Sequence, residues 1–243
     1  MARIAREKSE SGIYHVFVRG INRQNIFQEG EDEREFLDRL THYKKACNID
    51  LYAYAMMSNH VHLLLKERED GIGSLMQKLG VSYSHWFNQK YDRVGYLFQD
   101  RYKSEVVNDD AYFLTVFRYI HQNPQKAGLK SFTKTSYENY VTQTGLVDVS
   151  FPLSLFVSQS ELLKFLREES NEACIDIVTS RRLTDEHAAE KICKVANVKH
   201  PQALQNLAKD NQIRVIQELK KAGLSIRQIE RLIGINRGII LRM

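Results

Sequence analysis

The chain has 243 residues, 43% hydrophobic and 27% charged, with a net charge of +5 and a pI near 9.0. This is the composition of an ordinary soluble protein with material for one large domain or two small ones, and its basic excess fits a polyanion partner without requiring one. Cys47, Cys174 and Cys193 are scattered without C-x-x-C spacing, and no apolar run nears the ~18 residues that span a bilayer, which excludes a disulfide framework, a thiolate zinc site and a membrane protein. The polar start MARIAREKSESG carries no signal-peptide pattern, so a reducing, cytoplasmic location is expected.

Residues 12–20 (GIYHVFVRG) predict a strand, aromatic and β-branched between two glycines. In 31–46, Phe36, Leu37, Leu40, Tyr43 and Ala46 recur at helical spacing behind an acidic first turn. Residues 49–57 and 60–67 are apolar stretches split by Ser58-Asn59, the pattern of a hairpin of central strands. A second helix is expected over 72–91, with Trp86 and Phe87 in the core beside Leu79 and Tyr83. An extended stretch follows at 95–107. A third helix is expected over 109–123, capped by Asn108 or Asp109, with Pro124 just past its end. The order strand, helix, strand, strand, helix, strand, helix predicts an α+β domain over residues 1–147, an antiparallel sheet with helices packed on it. From about Ser158 the pattern is all helical, at 161–170, 186–196 and 203–223, which sets apart a second domain over 158–243.

The chemistry-bearing residues lie in the first domain. His60 and His62 flank Val61, and on a strand such residues project from one face. Two imidazoles on a rigid strand can share a metal ion, although the same pair could be surface residues of a hairpin. Histidine-triad hydrolases are excluded because the third alternating position is Leu64. The metallo-β-lactamase pattern is excluded because residues 63–66 are Leu, Leu, Leu and Lys. On the third helix Tyr119 and Asn123 are one turn apart on one face, with Tyr112 two turns earlier. A tyrosine beside a metal-bound phosphate can attack phosphorus, and Asn123 could add an oxygen ligand to the imidazoles. Packing would explain the tyrosine equally, and a helix stop the Asn-Pro pair. Arg19, Asn22 and Arg23 follow the first strand, and Arg101, Lys103 and Ser104 follow the aromatic pair Tyr96 and Phe98. Basic groups interleaved with aromatics suit a single-stranded backbone with stacked bases, or else form a solvated loop and edge strand.

Four segments in fixed order carry a family resemblance across residues 12–129: Tyr14-His15-Val16 leading to Arg19-Gly20-Ile21-Asn22-Arg23-Gln24, then Met57-Ser58-Asn59-His60-Val61-His62-Leu63-Leu64, then residues 95–104 (GYLFQDRYKS), then Arg118-Tyr119-Ile120-His121-Gln122-Asn123-Pro124. Together they resemble the HUH-type single-tyrosine transposases, in particular the REP-associated, IS200-like branch. The resemblance implies a ferredoxin-like sheet with both histidines on a central strand. It implies Mg²⁺ or Mn²⁺ held by His60, His62 and a polar side chain of the tyrosine helix. Insertion-sequence members use a Gln four residues after the nucleophile. Here that position is Asn123, as is usual in the REP-associated branch, with Gln122 as the alternative ligand. The implied reaction is cleavage and rejoining of single-stranded DNA at a hairpin, with Tyr119 as nucleophile forming a 5′-phosphotyrosine. It also implies contact of Arg19, Asn22, Arg23, Arg101, Lys103 and Ser104 with DNA. Insertion-sequence relatives are dimers, which leaves a homodimer or a monomer open. A DNA-binding regulator without catalysis and a metal-dependent hydrolase using water are the rival readings.

At the C-terminus Ser225 is expected to cap a short helix bearing Ile226, Ile229, Leu232 and Ile233. Gly234 would turn the chain, and Asn236 would cap a last helix with Ile239 and Ile240. This resembles a helix-turn-helix with Arg237 and Arg242 positioned for DNA; an amphipathic helical hairpin is the alternative. Residues 158–210 carry no recognisable chemistry.

Overall fold

The computed structural model describes residues 7–68, 71–130, 132–170, 185–222 and 224–243. Two compact units divide the chain, Met1–Ile175 and Asp176–Met243. The first is built on four strands, β1 (Ile13–Arg19), β2 (Asp50–Met57), β3 (His60–Lys66) and β4 (Lys103–Val106). They form one antiparallel sheet in the order β2-β3-β1-β4. With α1 (Gly30–Ala46) between β1 and β2 and α2 (Gly71–Lys90) between β3 and β4, this is the ferredoxin-like α+β arrangement.

The central strand β3 explains the rigidity of what it carries. Leu63, Leu64 and Leu65 are fully buried, as a strand covered on both faces requires. Each buried leucine is worth roughly 1.5–3 kcal/mol, and a one-residue slip would turn His60 and His62 to the opposite face, so register is strongly specified. The two faces are covered differently. Val18 of β1 meets Phe36 of α1 and Met76 and Leu79 of α2 around a cleft of about 860 Å³. On the other face, His15 and His62 meet the Tyr119 ring of α3 (Asp110–Lys126).

Local chemistry fixes the helix ends. Asp109 accepts the Tyr112 N–H at 2.7 Å and caps α3. Asp32, fully buried, accepts the Gln28 and Glu29 N–H groups at the start of α1 and receives Lys90 and Tyr91 from the end of α2. At Gly20, where β1 turns off, an added Cβ would lie 2.3 Å from the Gln24 carbonyl oxygen, so only glycine fits.

Several elements depart from the sequence reading. β4 is four residues long, because the 95–102 segment is irregular and pairs only through a bridge between Phe98 and Gly20. Pro124 lies inside α3, not past it; proline removes only its own N–H, and the next turn still closes through the Ala127 N–H to the Asn123 carbonyl at 3.2 Å. Two short helices went unforeseen, α4 (Tyr137–Thr142) and α5 (Ser150–Ser154). The helix α6 (Gln159–Arg167), assigned by sequence to the second domain, buries Leu162 and Leu166 in the core of the first.

The second unit is all helical: α7 (Asp185–Ala196), a 3-10 turn at Pro201–Asn206, α8 (Lys209–Lys221), α9 (Ile226–Ile233) and α10 (Arg237–Arg242). The expected single helix over 203–223 is split, with Leu207 and Ala208 extended between the turn and α8. Ile192, Leu204, Ile216, Ile229, Ile233 and Ile240 form its core, whereas Ile239 is 45% exposed. Ser225 caps α9, Gly234 ends it with φ of 77°, and Asn236 caps α10. Cys47 and Cys193 are free thiols, and Cys174 lies outside the described residues. Among the described residues no helix is long and apolar enough to cross a membrane.

Candidate active site

Strand alternation and register build the site. His15, Phe17 and Arg19 project from β1 on the same face as His60 and His62 from β3, with Phe17 opposite His62 and Arg19 opposite His60. The His60 and His62 rings are 5.2 Å apart between centroids and nearly perpendicular. Phe17 fills the space beside them, 5.3 Å from His60 and 4.9 Å from His62, and carries the Arg19 guanidinium above its ring at 5.1 Å.

α3 closes the face. The Tyr119 ring stands 5.7 Å from that of His62 and is 4% exposed. Asn123 donates to the Tyr119 hydroxyl at 3.2 Å and points the same amide nitrogen at His62 Nε2 at 3.4 Å. A half-turn of the amide would present its oxygen there instead. Gln122 points elsewhere: its amide donates to the Leu166 and Glu168 carbonyls, at 3.0 and 2.7 Å, and ties α3 to the end of α6. His60, His62, Tyr119 and Asn123 thus converge within a single chain, and Gln122 stands apart from them.

Hydrogen bonds set which imidazole nitrogen carries a proton. Asn59 donates its amide nitrogen to the Arg23 carbonyl at 3.1 Å, so its oxygen, 2.6 Å from His60 Nδ1, accepts from that nitrogen. In the neutral form of His60 the unprotonated nitrogen is then Nε2. His62 is fully buried, and burial, with His15, His60 and Arg19 nearby, holds its pKa well below the ordinary histidine value. A neutral imidazole is the form that ligates a metal.

The residues present fit a divalent cation. His62 lies between the His60 ring and the Asn123 amide, and among the described residues no group of three His, Cys, Asp or Glu offers a competing site. A set without carboxylate leaves the charge of a bound cation uncompensated and so available to a phosphate.

The expected DNA contacts separate. Arg19 and Lys103 lie on the histidine face, where Lys103 pairs with Phe17. Asn22 and Arg23 sit exposed at its end, in a turn where both have positive φ, 51° and 60°. Ser104, opposite Val16, belongs to the other face. Arg101 lines the cleft against α2 together with Tyr96 and Phe98. Tyr96 is 84% exposed, but Phe98 is partly buried beside Tyr83, their rings 6.4 Å apart, and is a packing residue. Phe87 is buried and Trp86 half-buried, as expected of core residues. Arg237 and Arg242 are exposed on α10 in the second unit. The site candidates missed from sequence are Asn59, His15 and Glu105. Asn59 adjoins the histidine motif, and His15 shares the β1 alternation with Arg19; only the sheet register brings Glu105 beside them.

Comparison with known proteins gives the context of this geometry. Residues 8–123 match the family model described as transposase, IS200 like. Among solved structures, a REP-associated tyrosine transposase bound to a REP hairpin aligns with a TM-score of 0.50 at 16% identity, over 61% of this chain and 90% of that one. A proposed transposase from Deinococcus radiodurans aligns with a TM-score of 0.36 at 18% identity, over 49% of this chain and 95% of that one. No curated protein matches. The segment that matches the IS200-like transposase family, residues 8–123, is the one that carries both histidines, Tyr119 and Asn123.

Proposed function

We propose that the protein cleaves and rejoins single-stranded DNA, with Tyr119 as nucleophile and a divalent cation, Mg²⁺ or Mn²⁺, at His60, His62 and Asn123. The observation that carries this reading is the meeting of the Tyr119 hydroxyl, the Asn123 amide and His62 Nε2 within hydrogen-bonding reach. Bound there, the cation would offset phosphoryl charge and orient the scissile bond. Tyr119 Oη attacks phosphorus, the P–O3′ bond breaks, and the DNA 5′ phosphate stays on the tyrosine. The phenol releases a proton and the departing 3′-oxygen takes one up, so none is consumed overall. The phosphotyrosine conserves the bond energy, and a 3′-OH can reverse the reaction on the same strand or another without ATP.

Arg19 and Lys103, on the histidine face, are suited to hold the backbone of a single strand, with Asn22 and Arg23 extending the contact. We take hairpin-bearing DNA as the substrate class, since the REP-associated relative of the same fold is bound to a hairpin. In the second unit, α9, the Gly234 turn and α10 have the layout of a helix-turn-helix, and Arg237 and Arg242 on the exposed side of α10 would meet duplex phosphates.

A nuclease assay on end-labelled hairpin DNA with Mn²⁺ tests the reading. Wild-type protein should give chelator-sensitive cleavage, while Tyr119→Phe and His60→Ala should bind the DNA without cutting it. Cleavage that persists in Tyr119→Phe would assign the attack to water or to another residue.

A further inference from the structure

His15 contributes to no step above, yet it is nearly fully buried at the centre of the site. Its Nε2 lies 2.9 Å from His62 Nδ1, with the two rings stacked. Its Nδ1 is buried without a hydrogen-bond partner, and the nearest acid is Glu105 of β4, its carboxylate oxygen 3.8 Å away. Glu105 is opposite His15 in the sheet and about a quarter exposed at the side chain.

With both imidazoles neutral, one proton arrangement along this row suits the carboxylate and the contact between the rings. The contact between the rings needs one donor and one acceptor. If His15 Nε2 donated, neutral His15 would turn a bare Nδ1 lone pair toward the Glu105 carboxylate, and neutral His62 would carry its proton on Nε2, the nitrogen facing Asn123. If His62 Nδ1 donates, His15 Nε2 accepts, the His15 proton sits on Nδ1 facing the carboxylate, and His62 Nε2 is bare.

We infer that Glu105 and His15 are positioning residues that select the His62 tautomer with Nε2 open for a metal ion. The inference rests on the metal reading of His62 given above. Outer groups that hold a ligating histidine in the correct tautomer raise its basicity and fix its plane, and their loss costs 10–100-fold in metal affinity. Asn59 performs the same service for His60, so both imidazoles of the pair would present Nε2.

The test uses the full chain labelled with ¹⁵N-histidine, and reads tautomers from long-range ¹H–¹⁵N spectra of the metal-free protein. Wild type should show His62 protonated at Nδ1. In Glu105→Leu, an edge-strand change that keeps the fold, and in His15→Phe, the His62 signal should lose its unique Nδ1–H character. Mn²⁺ alone, titrated by electron paramagnetic resonance, should bind 10–100-fold more weakly to both. Glu105→Asp should recover part of the affinity, which a purely structural role would not give. An unchanged His62 tautomer in folded Glu105→Leu overturns the inference. His62→Ala is the separate control: undiminished Mn²⁺ binding there overturns the metal reading itself, whatever the tautomer spectra show.

Discussion

Two adjacent side chains of α3 do different work, and the difference follows from helix geometry. Asn123 is one turn from Tyr119 and shares its face; Gln122 is rotated by about 100° toward α6. Gln122→Ala should cost about 1–3 kcal/mol in denaturant unfolding, since it leaves the buried Leu166 carbonyl, and that of Glu168, without their donor, and should leave the cleavage rate of folded protein near wild type. Asn123→Ala should do the reverse, leaving stability nearly unchanged while cleavage falls by at least the roughly 10–100-fold that loss of an outer-shell partner costs. If Gln122→Ala abolishes cleavage at full stability, the ligand assignment is inverted. Sequence could place both residues beside Tyr119 but could not choose between them, because the choice depends on where α6 docks. His15 was hidden for a related reason: its alternation with Phe17 and Arg19 is legible, but its distance to His62 is set by the β1–β3 register.

At the scale of elements, α1 and α2 are joined by Asp32. Desolvation by burial opposes its ionisation, yet Lys90, the Gln28 and Glu29 N–H groups and Tyr91 together hold its carboxyl below the ordinary aspartate value. A depressed folded-state pKa gives stability that is present above the unfolded value and is lost as pH falls through the folded one. Asp32→Asn should therefore lower stability by about 1.5–3 kcal/mol at pH 7, the scale of hydrogen bonds to a charged group. The gap from wild type should narrow as pH falls below about 4, read by urea unfolding across pH; a gap constant down to pH 2 would assign the loss to packing instead. Elements with strong patterns were legible: β1 by its flanking glycines, β2 and β3 by apolar runs around Ser58-Asn59, α1 and α2 by helical spacing. The misses have physical causes. Tyr96, Phe98 and Tyr102 imitate a strand, but tertiary packing takes Phe98 and Tyr102, Tyr96 stays exposed, and pairing begins only at Lys103. α4 and α5, at 6 and 5 residues, are under two turns and too short for a period to show.

For the whole molecule, the division into units decides what folds alone. α6 supplies Leu162 and Leu166 to the core of the first unit and receives the Gln122 bonds, so it belongs to that unit. A fragment of residues 1–175 should unfold cooperatively in calorimetry. A fragment of residues 1–147 should melt lower or fail to fold, since losing even one such leucine costs about 2–5 kcal/mol. Equal melting of the two fragments would contradict the division. The amphipathic pattern of α6 was visible in the sequence, but not which core its leucines would join.

The central claim is a covalent bond between Tyr119 and DNA. The direct measurement is mass spectrometry of the protein after incubation with single-stranded hairpin DNA and Mn²⁺, followed by nuclease trimming and peptide mapping. The account predicts one phosphonucleotide adduct on the peptide that contains Tyr119, absent with chelator and absent in Tyr119→Phe. An adduct on another tyrosine, or cleaved DNA with no adduct on any peptide, would contradict it.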